Sequence, residues 1–261
     1  MNPITLKELL LHTTIRRTFM RAAQRVDNQL DGIVRVSEGK LKGSKAEIPQ
    51  DTQDLYKAVS IAADTALVQA SGVFHTSAKA EEKRIIELAQ TLDLWPWAEQ
   101  IRGFGPLSLG LLVGHAGDIT RFRNPSALWK RMGLAVIDGV RQRQIAGRTP
   151  EATKLAIIHG YNPSRRSFMH VVSENMMKQN RGCYRATYEV RKAYRLDQAW
   201  TKGHAHMDAL RYLAKRLLKH VWLVWHELPI DAAELAMVPA PKVKDEDAVV
   251  EAAEEVLAVV E

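Results

Sequence analysis

Apolar side chains recur at steps of three and four residues along the first third of the chain, which is the spacing of one helix face. One such run covers about residues 6–38, a second begins near Asp51, and a third covers about residues 78–92. Gly72 is expected to end the second helix, because glycine is unfavourable in a helix interior. No alternating strand pattern is present in residues 1–94. We therefore predict an all-α protein that opens with a helical hairpin, a three-helix unit or a coiled-coil-like module.

Size and cysteine content exclude several classes of protein. The chain has 261 residues, of which 46% are hydrophobic, and a single cysteine, Cys183. That is enough for the core of one or two domains, and one cysteine excludes an intramolecular disulfide framework and a cysteine-rich zinc site. No apolar run approaches the roughly 20 residues of a membrane helix, and no signal-peptide pattern opens the chain. We expect a cytoplasmic protein without a membrane partner.

Positive charge is concentrated in the second half of the chain. The net charge is +7, but residues 229–261 carry nine acidic and two basic side chains, so the preceding 228 residues have a net charge of +14. Between Arg121 and Trp222 there are 21 Lys and Arg residues against six Asp and Glu. A basic block before a flexible acidic tail is typical of nucleic-acid-binding proteins. A basic surface without a partner is the alternative.

A glycine-rich turn, Arg102 to Pro106, separates two apolar runs. Gly103 and Gly105 allow positive φ and leave the backbone open to a ligand, while Pro106 suits the first turn of a helix. The free amides and partial positive charge of a helix start can hold a phosphate. This pattern predicts a helix-hairpin-helix that binds the nucleic-acid backbone independently of base sequence. A tight turn between two helices is the alternative.

Three further segments share a pattern with a known family. They are GDITRF followed by Pro125 and SALWKRMGL, then Asn162 to Ser167, and finally Lys202 to His204 followed by MDALRYLAKRLLKHVW. With the glycine-rich turn, they resemble the C-terminal domain of the insertion-sequence 110/116/902 family of transposases over residues 95–228. The resemblance implies a DNA-binding domain that works in DNA transposition or recombination of a mobile element.

The catalytic parts of that family are not recognisable in this chain. The family's members carry an N-terminal ribonuclease-H-like domain whose acidic residues hold magnesium, and a nucleophilic serine in the C-terminal domain. Here the N-terminal segment is helical by its spacing, and VIDGVRQRQ stands where the resemblance places the serine, with Ser164 and Ser167 further on. His204, His206 and His220 match no zinc-site spacing. We predict no catalytic residue, no metal site and no cofactor.

The residues expected to contact DNA lie in the turn, in the segments that follow it, in an Arg-rich loop after Leu134 and on the later helices. That loop is predicted to contain a short β-ribbon at Gln144–Ile145. The predicted contacts are Arg102, Gly103, Gly105, Arg121, Arg123, Lys130, Arg131, Arg141, Arg143, Arg148, Arg165, Arg166, Arg211, Lys215 and Arg216.

Two other functions stay open at this point. One is an active recombinase whose catalytic domain is supplied by another chain. The other is an adaptor that binds a structured RNA, which the family uses as a guide. In each case the N-terminal helices are expected to support a homo-oligomer.

Overall fold

The computed structural model describes residues 3–40, 43, 46–147, 149–179 and 182–235. These residues are helical apart from loops and one two-stranded sheet, which confirms the predicted all-α class. Within this part of the chain no helix is both long and apolar enough to cross a membrane. The chain divides into two compact units, Met1–Gln100 with Phe104–Met132 and Ile101–Gly103 with Gly133–Glu261.

Two long antiparallel helices form most of the first unit. Its elements are α1 (Pro3–Ser37), α2 (Gln50–Gln90), α3 (Trp95–Ala98), α4 (Pro106–Ala116), a 3-10 turn (Ile119–Arg121) and α5 (Pro125–Arg131). Arg16 Nε donates to Glu82 Oε1 at 2.8 Å near one end of the pair. Ser71 Oγ donates to Asp27 Oδ1 at 2.6 Å further along, which fixes the antiparallel direction. Of the predicted arrangements, the helical hairpin is the one observed.

The expected break at Gly72 is wrong, because α2 continues through this residue as a single helix of 41 residues. A glycine in a helix interior lowers the stability of the helix by about 1 kcal/mol relative to alanine, and the helix propensities of its neighbours do not offset this. Packing along α1 recovers it, since Ser71 and Ala78 on either side of Gly72 are buried. Tertiary contacts therefore override the local signal.

The N-terminal module was expected to cover residues 1–94, whereas the first compact unit also contains α4. Most of α4 is buried, and its sequence PLSLGLLVGHA is apolar on all sides, as expected of a helix enclosed by others. Gly110 allows the close approach of α2, since a Cβ there would lie 3.0 Å from the carbonyl oxygen of Ile85. The division of the chain instead falls after Met132.

The second unit is organised around its longest helix. Its elements are β1 (Val136–Ile137), β2 (Val140–Arg141), α6 (Pro150–His159), α7 (Pro163–Lys178), α8 (Cys183–Asp197), α9 (Lys202–Trp225) and α10 (Ala232–Leu235). Both α7 and α8 pack on α9, whose buried face includes Leu210, Leu213 and Leu217. Asn162 and Thr201 cap the starts of α7 and α9 by accepting backbone amide hydrogen bonds.

The β-ribbon lies earlier than predicted. Val136 pairs with Arg141 and Ile137 with Val140 in an antiparallel register, whereas Gln144–Ile145 has no regular structure. The connecting residues Asp138 and Gly139 have φ of 49° and 75°. An Asp-Gly pair with positive φ at both positions is the preferred sequence for a two-residue hairpin, and this signal was available in the sequence.

The fold continues beyond residue 229, where the acidic tail was expected to begin. Glu234 on α10 lies 2.8 Å from both Lys219 Nζ and His220 Nε2 on α9. Burial raises the pKa of Glu234, but hydrogen bonds from Lys219 and His220 outweigh it and lower the pKa to about 2. Residues 229–235 of the expected flexible tail are therefore ordered against α9, and residues 236–261 lie outside the described part of the chain.

Candidate nucleic-acid interface

Four of the predicted basic residues come together in the second unit. Arg141 lies on β2, Arg166 on α7, and Arg211 and Lys215 on α9. Burial, together with the charges of Arg166 and Arg141, lowers the pKa of Arg211 to about 10. Burial followed by the charge of Arg211 also lowers the pKa of Lys215. These four residues, which we call the cationic cluster, are close enough to repel one another.

The two inner members of the cationic cluster also support the fold. Arg211 Nη2 donates to the carbonyl oxygens of Leu134 and Ala135 at 2.7 and 2.8 Å. Arg166 Nη1 donates to the carbonyl oxygen of Gly133 at 2.9 Å, and burial lowers its pKa. Arg211, one of the predicted DNA contacts, is buried and bonded to the backbone. The other two members are more accessible, since Arg141 is exposed and Lys215 is half-buried.

A buried carboxylate lies next to the cationic cluster. Asp208 Oδ2 accepts hydrogen bonds of 2.8 Å from both Arg191 Nε and Arg195 Nε, and its Oδ1 lies 3.5 Å from Arg141 Nη2. Burial raises the pKa of Asp208, but the hydrogen bonds from Arg195 and Arg191 outweigh it and the pKa is lowered overall. Sequence reasoning missed these two arginines. Their i,i+4 spacing on one face of α8 was the available signal.

Two exposed tyrosines flank one of these arginines. Arg191 Cζ lies 5.3 Å from the ring centre of Tyr194 and 5.0 Å from that of Tyr212. The three side chains line a cavity of about 210 Å³ together with Arg216. Exposed aromatic rings beside arginine are a common surface for stacked bases of single-stranded nucleic acid. The tyrosines were not among the predicted contacts.

The remaining predicted residues lie outside the cationic cluster. The exposed residues Arg121, Arg123, Lys130 and Arg131 belong to the first unit, where Arg131 Nε donates to Ala116 O at 3.2 Å. In the second unit, Arg102 and Arg143 are exposed, Arg165 is half-buried at the start of α7, and Arg216 donates to the carbonyl of Glu234 at 3.1 Å. Arg148 lies outside the described residues.

The two glycines of the predicted hairpin differ in conformation. Gly103 has φ of 81°, and a Cβ there would lie 2.7 Å from Asn175 O and 2.8 Å from Met176 Cα. Gly105 is extended, with φ of −75° and ψ of 176°, and a Cβ there would meet open space. The prediction of positive φ is therefore right for Gly103 and wrong for Gly105. Gly105 instead precedes the first turn of α4, where the helix amides begin.

Exchanging each glycine for valine separates a structural role from a binding role. Gly103→Val is expected to destabilise the second unit by at least about 1–3 kcal/mol, because of its left-handed backbone and the contact with α7. Gly105→Val should leave stability nearly unchanged and weaken duplex binding, because the side chain would obstruct the start of α4. Urea unfolding and fluorescence anisotropy measure the two effects. If Gly105→Val binds like the unaltered chain, this segment is only a turn.

The histidines have separate partners. His206 Nδ1 lies 2.7 Å from Tyr188 Oη, and His220 Nδ1 lies 2.7 Å from Tyr184 Oη. Across the described ranges, no three His, Cys, Asp or Glu side chains are grouped so that they could hold a metal ion.

No family model matches this chain, and no curated protein or solved structure matches it either. A functional assignment therefore depends on the sequence segments described above and on the chemistry of the cationic cluster. Three arginines and a lysine lie near one another there, which is an arrangement suited to an anion.

Proposed function

We propose that this chain is a nucleic-acid-binding protein that binds the DNA backbone in the cytoplasm, during transposition or recombination of a mobile element. The resemblance of residues 95–228 to the C-terminal domain of insertion-sequence 110/116/902 transposases supports the process. The cationic cluster is the observation that carries the binding function. A duplex would be held mainly through its phosphates, so binding would be nearly independent of base sequence.

The cost of assembling the cationic cluster supports an anionic partner. Like charges that are taken out of water raise each other's energy, and here Arg211 is desolvated beside Arg166 and Arg141. A phosphate oxygen near these groups would relieve the repulsion and accept charge-assisted hydrogen bonds. Asp208 does not remove the need for it, because Arg191 and Arg195 already share that carboxylate.

A second phosphate contact is proposed at the start of α4. Gly105 is exposed and has open space around its Cα, so a backbone phosphate can approach the first amides of the helix. Arg121 and Arg123 are exposed in the same unit and add positive charge for a longer stretch of duplex.

A homo-oligomer through α1 and α2 belongs to the same proposal, supported by the exposed apolar side chains of Leu55 and Ile61 on α2.

An RNA-binding adaptor is the second candidate function, favoured by Tyr194 and Tyr212. Sequence-tolerant recognition of single-stranded segments uses aromatic rings on which bases stack, and both rings are more than 40% exposed. Replacing both tyrosines by leucine should weaken binding to a structured RNA with loops and leave binding to duplex DNA unchanged. A recombinase completed by a catalytic domain from another chain is compatible with the same surface.

The double variant Arg141→Gln, Lys215→Gln tests the proposed function. We expect its affinity for random-sequence duplex to fall roughly tenfold, because one exposed and one half-buried cation that would contact phosphates are lost. The slope of log affinity against log salt should also decrease by about two. Anisotropy titrations of a labelled duplex at several salt concentrations give both values.

The matched control is Lys154→Gln, Lys202→Gln, which removes the same charge from exposed positions on α6 and α9 outside the cationic cluster. The control should keep most of the affinity. Equal losses in the two double variants would mean that only net charge matters, and the cationic cluster would then not be the binding surface.

A further inference from the structure

A cavity of about 200 Å³ adjoins the cationic cluster between α7 and α9 of the second unit. Its polar lining consists of Arg166, Ser167, His170, Ser173 and Arg211. Its other walls are apolar and include Met207, which stands half-exposed on α9. Among the described residues that line this cavity, none is a carboxylate.

One wall of the cavity holds a buried donor without an acceptor. The Arg211 side chain is 9% exposed, and its Nη2 is bonded to two backbone carbonyls. Its Nη1 is buried and has no hydrogen-bond partner in the part of the chain that the structure describes. A buried charged donor left unpaired costs free energy, so a ligand acceptor in the adjoining cavity would stabilise this arrangement.

Neighbouring acids do not supply that acceptor. Asp208 is shared among Arg191, Arg195 and Arg141. Glu174 Oε1 lies 3.6 Å from His170 Nε2 and its Oε2 lies 3.9 Å from Lys178 Nζ, and Glu174 is not among the residues that line the cavity. The cavity lining therefore has two cations, Arg166 and Arg211, and no carboxylate among its described residues.

We propose that this cavity binds the phosphate of a phosphate monoester of nucleotide size, with Arg166 and Arg211 as the charged donors and Ser167 as a hydroxyl donor. The cavity is smaller than the roughly 300–1,000 Å³ of sites for whole small molecules, so it accommodates a phosphate and part of the attached sugar. A terminal phosphate carries close to two negative charges near neutral pH, which matches two arginines.

Two kinds of ligand carry a phosphate monoester. One is the phosphorylated end of a nucleic-acid strand, and binding of this ligand rests on the proposed nucleic-acid function. The other is a free mononucleotide, whose binding does not depend on that function. An internal phosphodiester fits less well, because it has one charge and continues as chain on both sides, whereas Arg211 lies in a recess.

Short labelled single strands with a phosphate or a hydroxyl at each end test the site. At one fixed salt concentration, strands with a terminal phosphate should bind at least about tenfold more tightly than strands with hydroxyl ends. Adenosine monophosphate should compete for the phosphorylated strands, and adenosine should not. Anisotropy gives the affinities, and calorimetry with adenosine monophosphate alone measures the mononucleotide directly.

Two variants remove the site in different ways. Arg166→Gln removes a donor, and Met207→Trp fills the cavity while both arginines stay in place. Each should abolish the preference for phosphorylated ends, and Lys154→Gln on α6 should keep it. Circular dichroism melting identifies any variant that does not fold, and Met207→Trp alters no backbone hydrogen bond.

The outcomes separate this inference from the proposed function. If strands bind equally with phosphate and hydroxyl ends, and adenosine monophosphate does not compete, the monoester site is refuted and nucleic-acid binding stands. If adenosine monophosphate binds in a way that Met207→Trp abolishes but no strand or duplex binds, the site stands and the proposed function is refuted. A preference that survives in both cavity variants overturns the assignment to this cavity.

Discussion

Raising the salt concentration from about 50 mM to about 200 mM is expected to weaken duplex binding on the order of a thousand-fold. Each phosphate that is neutralised by Lys or Arg releases condensed counterion, and six to ten such contacts, roughly, produce a change of this size. The basic block supplies enough cations, since 21 Lys and Arg residues lie between Arg121 and Trp222. The loss should be the same for unrelated duplex sequences, because phosphates and not bases are contacted.

Anisotropy titrations over this salt range, with two unrelated duplexes, measure the effect. A chain that ends at residue 235 is a useful companion, because it keeps the contact of Glu234 on α10 with Lys219 on α9 and removes seven acidic and two basic side chains. It should bind more tightly at every salt concentration, since a tethered acidic segment competes with phosphate at high local concentration. A flat salt response of the full chain would refute the assignment of a phosphate-binding surface.

Asp208→Ala is expected to lower the free energy of unfolding of the second unit by about 3 kcal/mol. Removing the shared acceptor leaves Arg191 and Arg195 close together without a counter-charge, and breaking a buried ion pair costs about 3–5 kcal/mol. We expect the lower end of this energy range because the side chains of Arg191 and Arg195 are partly exposed, at 24% and 20%. Hydrogen exchange of the α8 and α9 amides localises the loss to this unit.

The same carboxylate makes the stability dependent on pH. Because the folded-state pKa of Asp208 is lowered, its contribution is fully present above the unfolded value of about 3.9 and is lost as the pH falls through the folded pKa. Stability of the unaltered chain should therefore decline on acidification below about pH 4, and Asp208→Ala should decline less. Asp197→Ala, at the exposed end of α8, is the matched control and should follow the unaltered chain. An Asp208→Ala chain as stable as this control would contradict the shared ion pair.

Much of the local structure followed from the sequence. The three- and four-residue spacing predicted the all-α class and the first helix, α1, and it predicted helix along most of α2. Asn162 caps the start of α7, and asparagine is a residue type that favours this position. These features depend on interactions within a few residues, which a single sequence displays directly.

Local signals misled wherever distant residues decide the outcome. Gly72 was expected to end a helix, but contacts with α1 stabilise α2 as a continuous helix across this residue. Both Gly103 and Gly105 were expected to allow positive φ, but of the two only Gly103 has the left-handed backbone, and there Asn175 and Met176 also leave no room for a Cβ. The residues that pack around these glycines are distant in the sequence, so the local sequence does not indicate them.

The candidate site divides in the same way. Charge counting along the chain was sufficient to predict an anionic partner and to name Arg141, Arg166, Arg211 and Lys215. Only the packing of α7 on α9 decided that Arg211 would be buried against backbone carbonyls, with one donor left beside a cavity. Asp208, which organises the neighbouring arginines, is one acid in a basic block until α8 lies against α9. Composition and periodicity depend only on the types of residue and their order in the chain. The burial and ion pairing of a side chain depend on which distant side chains share its low-dielectric environment.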